Sequence, residues 1–276
     1  MSTNTSFFYQ PGDGFLHQIN PLSKVMATVP PVFYLALTTE PWTPLLFIVL
    51  ATLTILVLGR IPFGRFFKIA GPMSLLMIGY LLIYPLVVRA DLVSNTPLVF
   101  EIGRLKVYQG GLIFGLATGL RIYSLIIMTL IFSFTTDATD FIRALVQQWR
   151  LPYRLGYGAM AAFRFVPMLQ KELKVIQAAH RIRGVDDSKG FRANFDRMRR
   201  YAIPLLATAI RSAERTALAM DGRAFGAFET RTYYKKMSFS WQDWLFIFGF
   251  WGISLGIIFM LRELGLSGPL VFLQGA

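Results

Sequence analysis

The sequence predicts an all-α polytopic membrane protein with about five transmembrane helices and a helical cytoplasmic coupling region inserted before the last one. Three observations predict this. Of the 276 residues, 54% are hydrophobic and the mean hydropathy is +0.51, too apolar for an ordinary soluble domain of this size. Five apolar stretches are separated by polar or charged connections. Nothing alternates as a barrel strand would, and backbone facing lipid must satisfy its own hydrogen bonds, which leaves helices.

The elements follow in order. Residues 1–23 are polar and turn-prone, as in Pro11-Gly12-Asp13-Gly14, and lack the basic and apolar regions of a signal peptide. The first span, 25–37, is short and contains Pro30-Pro31; the second is 44–59 and the third 69–88. The fourth, 110–134, is interrupted by Arg121, and the last is 244–261. The chain therefore divides into 1–134 with four spans, a cytoplasmic block 135–240, and 241–276 with the final span.

Charge sets an expected orientation. Net charge is +13, and 19 of the 28 Lys and Arg residues fall between 143 and 236. A membrane protein keeps such a block in the cytoplasm. Arg60, Arg65 and Lys68 put the loop after the second span on the same side. The turn around Glu40 falls outside. So does the loop 89–108, where Asp91 and Glu101 offset Arg89, Arg104 and Lys106. The N-terminus is then cytoplasmic and the C-terminus outside. Gly111, Gly115 and Gly119 in the fourth span, and Gly252 and Gly256 in the fifth, let helix backbones approach closely; packing within the chain is expected ahead of the alternative, docking of a partner membrane protein.

Within 135–240, Thr136 or Asp137 can cap a first amphipathic helix bearing Phe141, Leu145, Val146 and Trp149, broken at Leu151-Pro152. A second helix is predicted over 156–183, a polar loop over 185–200 and a third helix over 201–223. Each of the two long helices carries an apolar-Pro pair near its predicted start, Val166-Pro167 and Ile203-Pro204, and an arginine at its end. Leu169, Leu173, Ile176, His180 and Arg183 share one face; Leu206, Ile210, Ala213, Ala217, Met220 and Arg223 share another. An arginine before a C-capping glycine can simply complement the helix dipole. The duplication, and the place of each arginine on the apolar stripe, favour a cationic plug for a carboxylate in a partner's groove.

Arg121 is costly inside a membrane, and no span offers it an acid. It lies nearly opposite Gly119, about 200° round the helix. It is expected to bond to carbonyls or hydroxyls or to meet a partner, with structural support favoured over a transport role; Arg164, Pro167 and Pro204 are likewise candidates for structural or partner contact.

Other functions lose ground. With no cysteine there is neither a disulfide framework nor a thiolate site, and His17 and His180 are too isolated for a metal centre. No phosphate-binding loop, zinc-protease or nucleophile-elbow motif occurs, so the chain is not expected to hydrolyse ATP or to be an enzyme. The basic faces lack interleaved exposed aromatics, which argues against nucleic acid and for acidic lipid.

Several motifs resemble one family, the transmembrane T component of energy-coupling factor (ECF) transporters, ATP-driven importers of vitamins and metal ions. His17 with Asn20-Pro21-Leu22-Ser23-Lys24 is similar to the family's opening turn. Thr135-Thr136 with Asp140 resembles its T-T-x-x-x-D segment, and Arg164-Phe165-Val166-Pro167 its R-F-(I/V)-P. Ile182-Arg183-Gly184 and Gly222-Arg223-Ala224 resemble its two Ala-Arg-Gly motifs, with both arginines kept and the neighbours altered. The resemblance implies a non-catalytic scaffold in a prokaryotic cell membrane. Its coupling residues would engage two ABC-type ATPase subunits, and its surface would hold a separate substrate-binding S component. The chain itself would bind no cofactor, ATP and magnesium belonging to the ATPases. A conventional importer permease would call for one coupling helix per chain with an E-A-A-type loop, which is absent. A membrane-embedded lipid enzyme would need clustered acids or histidines, and here they are scattered.

Overall fold

A computed structural model describes residues 9–87, 97–102, 105–184, 190–228 and 232–266. The described residues form two compact units, one within 9–141 and 238–266 and one within 142–237.

The first unit holds the apolar helices. A short α1 (Phe15–Gln18) precedes α2 (Pro21–Leu37). Asn20 starts α2: its side-chain oxygen accepts from Leu22 N at 3.0 Å, and Pro21 follows at a position where a missing N–H costs nothing. Next come α3 (Trp42–Leu53), which continues into a π turn (Thr54–Leu58), and α4 (Phe63–Val87). An antiparallel hairpin, β1 (Leu98–Ile102) and β2 (Leu105–Tyr108), pairs Glu101 with Lys106. It occupies part of what the sequence presents as a plain loop; Val88, Arg89, Asp91 and Arg104 lie outside the described residues. Then follow α5 (Gln109–Thr135) and, after the second unit, α9 (Trp241–Glu263).

Three helical stretches are long and apolar enough to cross a membrane, Phe63–Pro85, Gln109–Thr135 and Trp241–Glu263; Pro21–Leu37 and Trp42–Leu58 are shorter apolar helices. Leu35, Phe47, Ile55, Ile127, Ile131, Phe134 and Phe250 form a buried core among α2, α3, α5 and α9. Phe33, Leu75, Leu82, Phe248 and Phe259 point outward, the pattern of a bundle solvated by lipid.

The two glycine faces part company. A Cβ on Gly119 would come within 2.8 Å of the Met77 carbonyl, and one on Gly115 within 3.2 Å of Tyr84, so α5 packs on α4 through its glycines. Gly252 and Gly256 have open space around them, which corrects the expectation of close packing within the chain. The reason is rotational: α9 buries Phe246, Phe250, Ser254 and Leu261 instead.

In the second unit, α6 (Ala138–Gln148) crosses from the first and is started by Asp137, whose carboxylate accepts from Thr139 N at 2.8 Å. Two long helices follow, α7 (Tyr153–Ile182) and α8 (Phe191–Asp221). The third coupling helix thus begins ten residues before its expected start at 201. Gly190, at φ +133°, turns the chain, and the run from Phe191 to Arg200 is rich in helix formers. Pro204 consequently sits in a helix interior, as does Pro167 in α7, where each removes one backbone donor, and neither is near a helix start.

Candidate coupling site

The two arginine tips are built by the same backbone device with different residues. At the end of α7, Arg183 N donates to Ala179 O at 3.3 Å, and Gly184 takes a left-handed φ of +65°. At the end of α8, Gly222 N donates to Leu218 O and Arg223 N to Met220 O. The left-handed position then falls on Ala224, at φ +57°. Phe225 N closes the cap on Met220 O at 3.0 Å. The altered neighbours therefore have a backbone consequence: glycine stands where it is needed at the first tip, and alanine stands there at the second.

Both guanidiniums are exposed and, among the described residues, neither has a hydrogen-bonding partner. Ile182 beside Arg183 is 88% exposed. The apolar stripes behind them differ. On α8, Leu206 and Ile210 are 60% and 59% exposed, and Ala213 and Ala217 are exposed too. On α7, Leu169, Leu173, Ile176 and His180 are half-buried, and the His180 ring lies edge-on to Tyr201 of α8 at 5.4 Å. So the α7 stripe is half-buried and meets its sister helix at His180, whereas Leu206 and Ile210 of the α8 stripe face outward. Arg164 is exposed on α7, and Pro167 and Pro204 are half-buried in mid-helix; none of the three reaches either tip.

The opening turn of the chain is a separate construction. Asp243, 2% exposed, accepts from Asn20 N at 2.7 Å and Ser23 Oγ at 2.9 Å with one oxygen, and from Ser240 N at 2.6 Å with the other. Lys24, 1% exposed, donates to Thr135 O at 2.8 Å and Thr136 Oγ1 at 3.1 Å. The Asn-Pro-x-Ser-Lys turn thus pins the start of α2 to the start of α9 and the end of α5. His17 Nε2 is 2.8 Å from Gln10 O, and Gln10 N donates to Phe134 O at 3.0 Å. Burial is the main cause holding His17 below its ordinary value. Arg121 donates to Thr38 O at 2.9 Å and Thr118 Oγ1 at 3.3 Å, closing carbonyls at the end of α2.

Sequence reasoning passed over Asp243 and the first turn of α7. Ser240-x-x-Asp243 has capping-box spacing, which could have flagged the acid locally. Its bond to Asn20 spans 223 positions and leaves no periodic trace.

The cobalt transport protein family CbiQ matches residues 12–234. The energy-coupling factor transporter transmembrane protein EcfT of Bacillus subtilis is 29% identical over 243 residues, covering 85% of this chain and 89% of that protein. The EcfT proteins of Exiguobacterium sibiricum and Lacticaseibacillus paracasei are 29% and 27% identical, covering 96% and 92% of this chain and 97% of each relative. The chain belongs to the CbiQ family of polytopic membrane transport proteins. Its role is that of the transmembrane T component of an energy-coupling factor transporter.

Proposed function

We propose that the chain is a non-catalytic scaffold that couples ATP hydrolysis in two separate ABC-type ATPase subunits to movement of a separate substrate-binding S component. Ile182, Arg183, Gly184, Gly222, Arg223 and Ala224 form its two coupling tips, and ATP and magnesium stay with the ATPases. The observation that carries this reading is the pairing of two exposed arginines, without hydrogen-bonding partners among the described residues, at the ends of two long helices. The bare apolar stripe behind Arg223 adds to it. Guanidinium suits a carboxylate in a groove because it bonds it with two parallel prongs. Arg121, already bonded to carbonyl and hydroxyl oxygens, is assigned to structural support.

The test is assembly and ATP-driven uptake with Arg183→Ala, Arg223→Ala and the double variant. Stripping one partner from a fully buried pair costs roughly 3–5 kcal/mol, so each single variant weakens assembly or transport and the double abolishes it. Lysine rescues poorly, since it keeps the charge and loses the fork. A double variant that assembles and transports at the parental rate would sink the proposal.

The basic block sets the orientation in a prokaryotic cell membrane, with a cytoplasmic N-terminus, an outer C-terminus and acidic lipid beside the basic faces. A cysteine replacing Ser188, which lies outside the described residues, is expected to label only in permeabilised cells. Labelling of intact cells from outside reverses the topology.

A further inference from the structure

The chain beyond Arg223 folds back onto the first turn of α7. The Phe225 ring lies edge-on to both Tyr153 and Tyr157, with centroids 5.8 and 5.9 Å away and interplanar angles of 76° and 72°. Arg154 Nη2 donates to Gly226 O at 2.7 Å, and Tyr153 Oη donates to Phe228 O at 2.7 Å. Gly226 takes φ +91°, and a Cβ there would sit 3.3 Å from Arg154 Nε, so the backbone runs directly against the guanidinium. Arg223 is therefore held from both sides. Behind it lies the end of α8, closed by the Phe225 N to Met220 O bond, and ahead of it lies a segment gripped by one turn of another helix. The described part of the first tip stops at Gly184.

Edge-on aromatic contacts and hydrogen bonds are both directional, so together they fix orientation as well as position. A tip that must meet a carboxylate with a two-pronged fork gains from such fixing, because a backbone segment already ordered has less conformational freedom to lose on docking. We propose that Arg154, with Tyr153 and Phe225, is a positioning residue for Arg223: it locks the second tip to the base of α7. The proposal rests on the coupling reading of Arg223. Through this lock the two tips sit at opposite ends of one rigid member, α7 carrying Arg183 at its far end and the Arg223 brace at its near end.

The test is the affinity of the full-length chain, in detergent, for purified ATPase subunits, measured for Arg154→Ala alone and combined with each tip variant. Arg154→Ala is expected to weaken binding about tenfold, the order set by losing a charge-assisted hydrogen bond. It should add nothing in an Arg223→Ala background and act in full in an Arg183→Ala background. Arg154→Lys, which can still donate to Gly226 O, restores most of the loss, and Tyr153→Phe gives a smaller loss with the same dependence on Arg223. Amide exchange of the free chain checks the cause: residues 222–228 exchange faster in Arg154→Ala, while the middle of α7 is unchanged. Equal losses from Arg154→Ala in both tip backgrounds overturn the proposal, because a general structural staple acts regardless of which tip remains. So does parental affinity for Arg154→Ala when Arg223→Ala binds weakly. Parental affinity for Arg223→Ala itself overturns the coupling reading first, and is recognised apart from the other outcomes.

Discussion

The two units hold themselves together in opposite ways. The membrane unit has a continuous core from Leu16 to Phe250 and a buried polar clasp around Asp243. Among the described residues of the second unit, the buried ones are Ile142, Ala144, Val146 and Gly156, all at the α6–α7 corner. Its two long helices leave large side chains such as Val175, Ile203, Leu206 and Ile210 in the open. Helices of that length gain most of their stability from packing an apolar face. A unit that leaves such a face bare is completed by whatever covers it. The difference teaches where tolerance lies: the membrane unit resists change throughout its core, and the coupling unit resists it at the α6–α7 corner and the half-buried face of α7, leaving the bare face of α8 tolerant in the free chain.

The largest effect is expected where the membrane unit concentrates its polar bonds. Asp243→Ala strands the donors of Asn20, Ser23 and Ser240, and hydrogen bonds to a charged acceptor are worth about 1.5–3 kcal/mol each. Thermal unfolding of the purified chain in detergent should shift down strongly, by far more than for any single exposed residue of α8. An unchanged transition would mean that the clasp is ornamental and that the contrast between the units is false.

A middle-sized effect separates the two stripes within the coupling unit. Ile176→Asp, on the half-buried α7 face, should destabilise the free chain by about 1–3 kcal/mol. Ile210→Asp, on the exposed α8 face, should stay within about 0.5 kcal/mol in the free chain yet impair assembly with partners. The pair is read by unfolding of the free chain and by co-purification. If the two substitutions behave alike in both assays, the faces are not distinct.

Much of this architecture was legible in the sequence, because long apolar runs broken by charge have few structural solutions in a bilayer. The apolar helices follow from that, three of them long enough to cross a membrane and two shorter, and the places of Arg183 and Arg223 at helix ends follow from helical spacing. What periodicity does not carry is the identity of the neighbour. The Leu169–His180 face is apolar whether it meets another helix or a partner, and only the placement of Tyr201 decides. The glycines of α9 have the right spacing for close packing, but the buried face is set by Phe246 and Phe250. The early start of α8 is hidden in the sequence because Phe191–Arg200 is polar, and a polar run has the composition of a loop until its helix-forming residues are weighed. The Asp243 clasp and the Arg154 brace join residues far apart in the chain, so no local pattern announces them.

The smallest effect is the most specific, and it turns on the swapped neighbours of the two tips. Ala224 holds a left-handed φ of +57°, a conformation that costs an L-residue roughly 1–2 kcal/mol. Ala224→Gly removes that cost, but glycine brings extra unfolded-state entropy of about 0.5–1 kcal/mol, so the net gain is a fraction of 1 kcal/mol. The alanine side chain is exposed, so little packing is lost. Gly184→Ala is the mirror case: φ is +65° and open space surrounds the site, so only the backbone cost remains and the α7 tip should lose a similar amount. Amide exchange at the last turn of each helix reads both changes, with slower exchange near Met220 for Ala224→Gly and faster exchange near Arg181 for Gly184→Ala. Opposite signs at the two tips show that one backbone device serves both arginines with the residues exchanged. Equal signs would mean that the Ala224 conformation is held by the brace on Phe225 and not by its own cap, leaving the tips alike in sequence motif but different in construction.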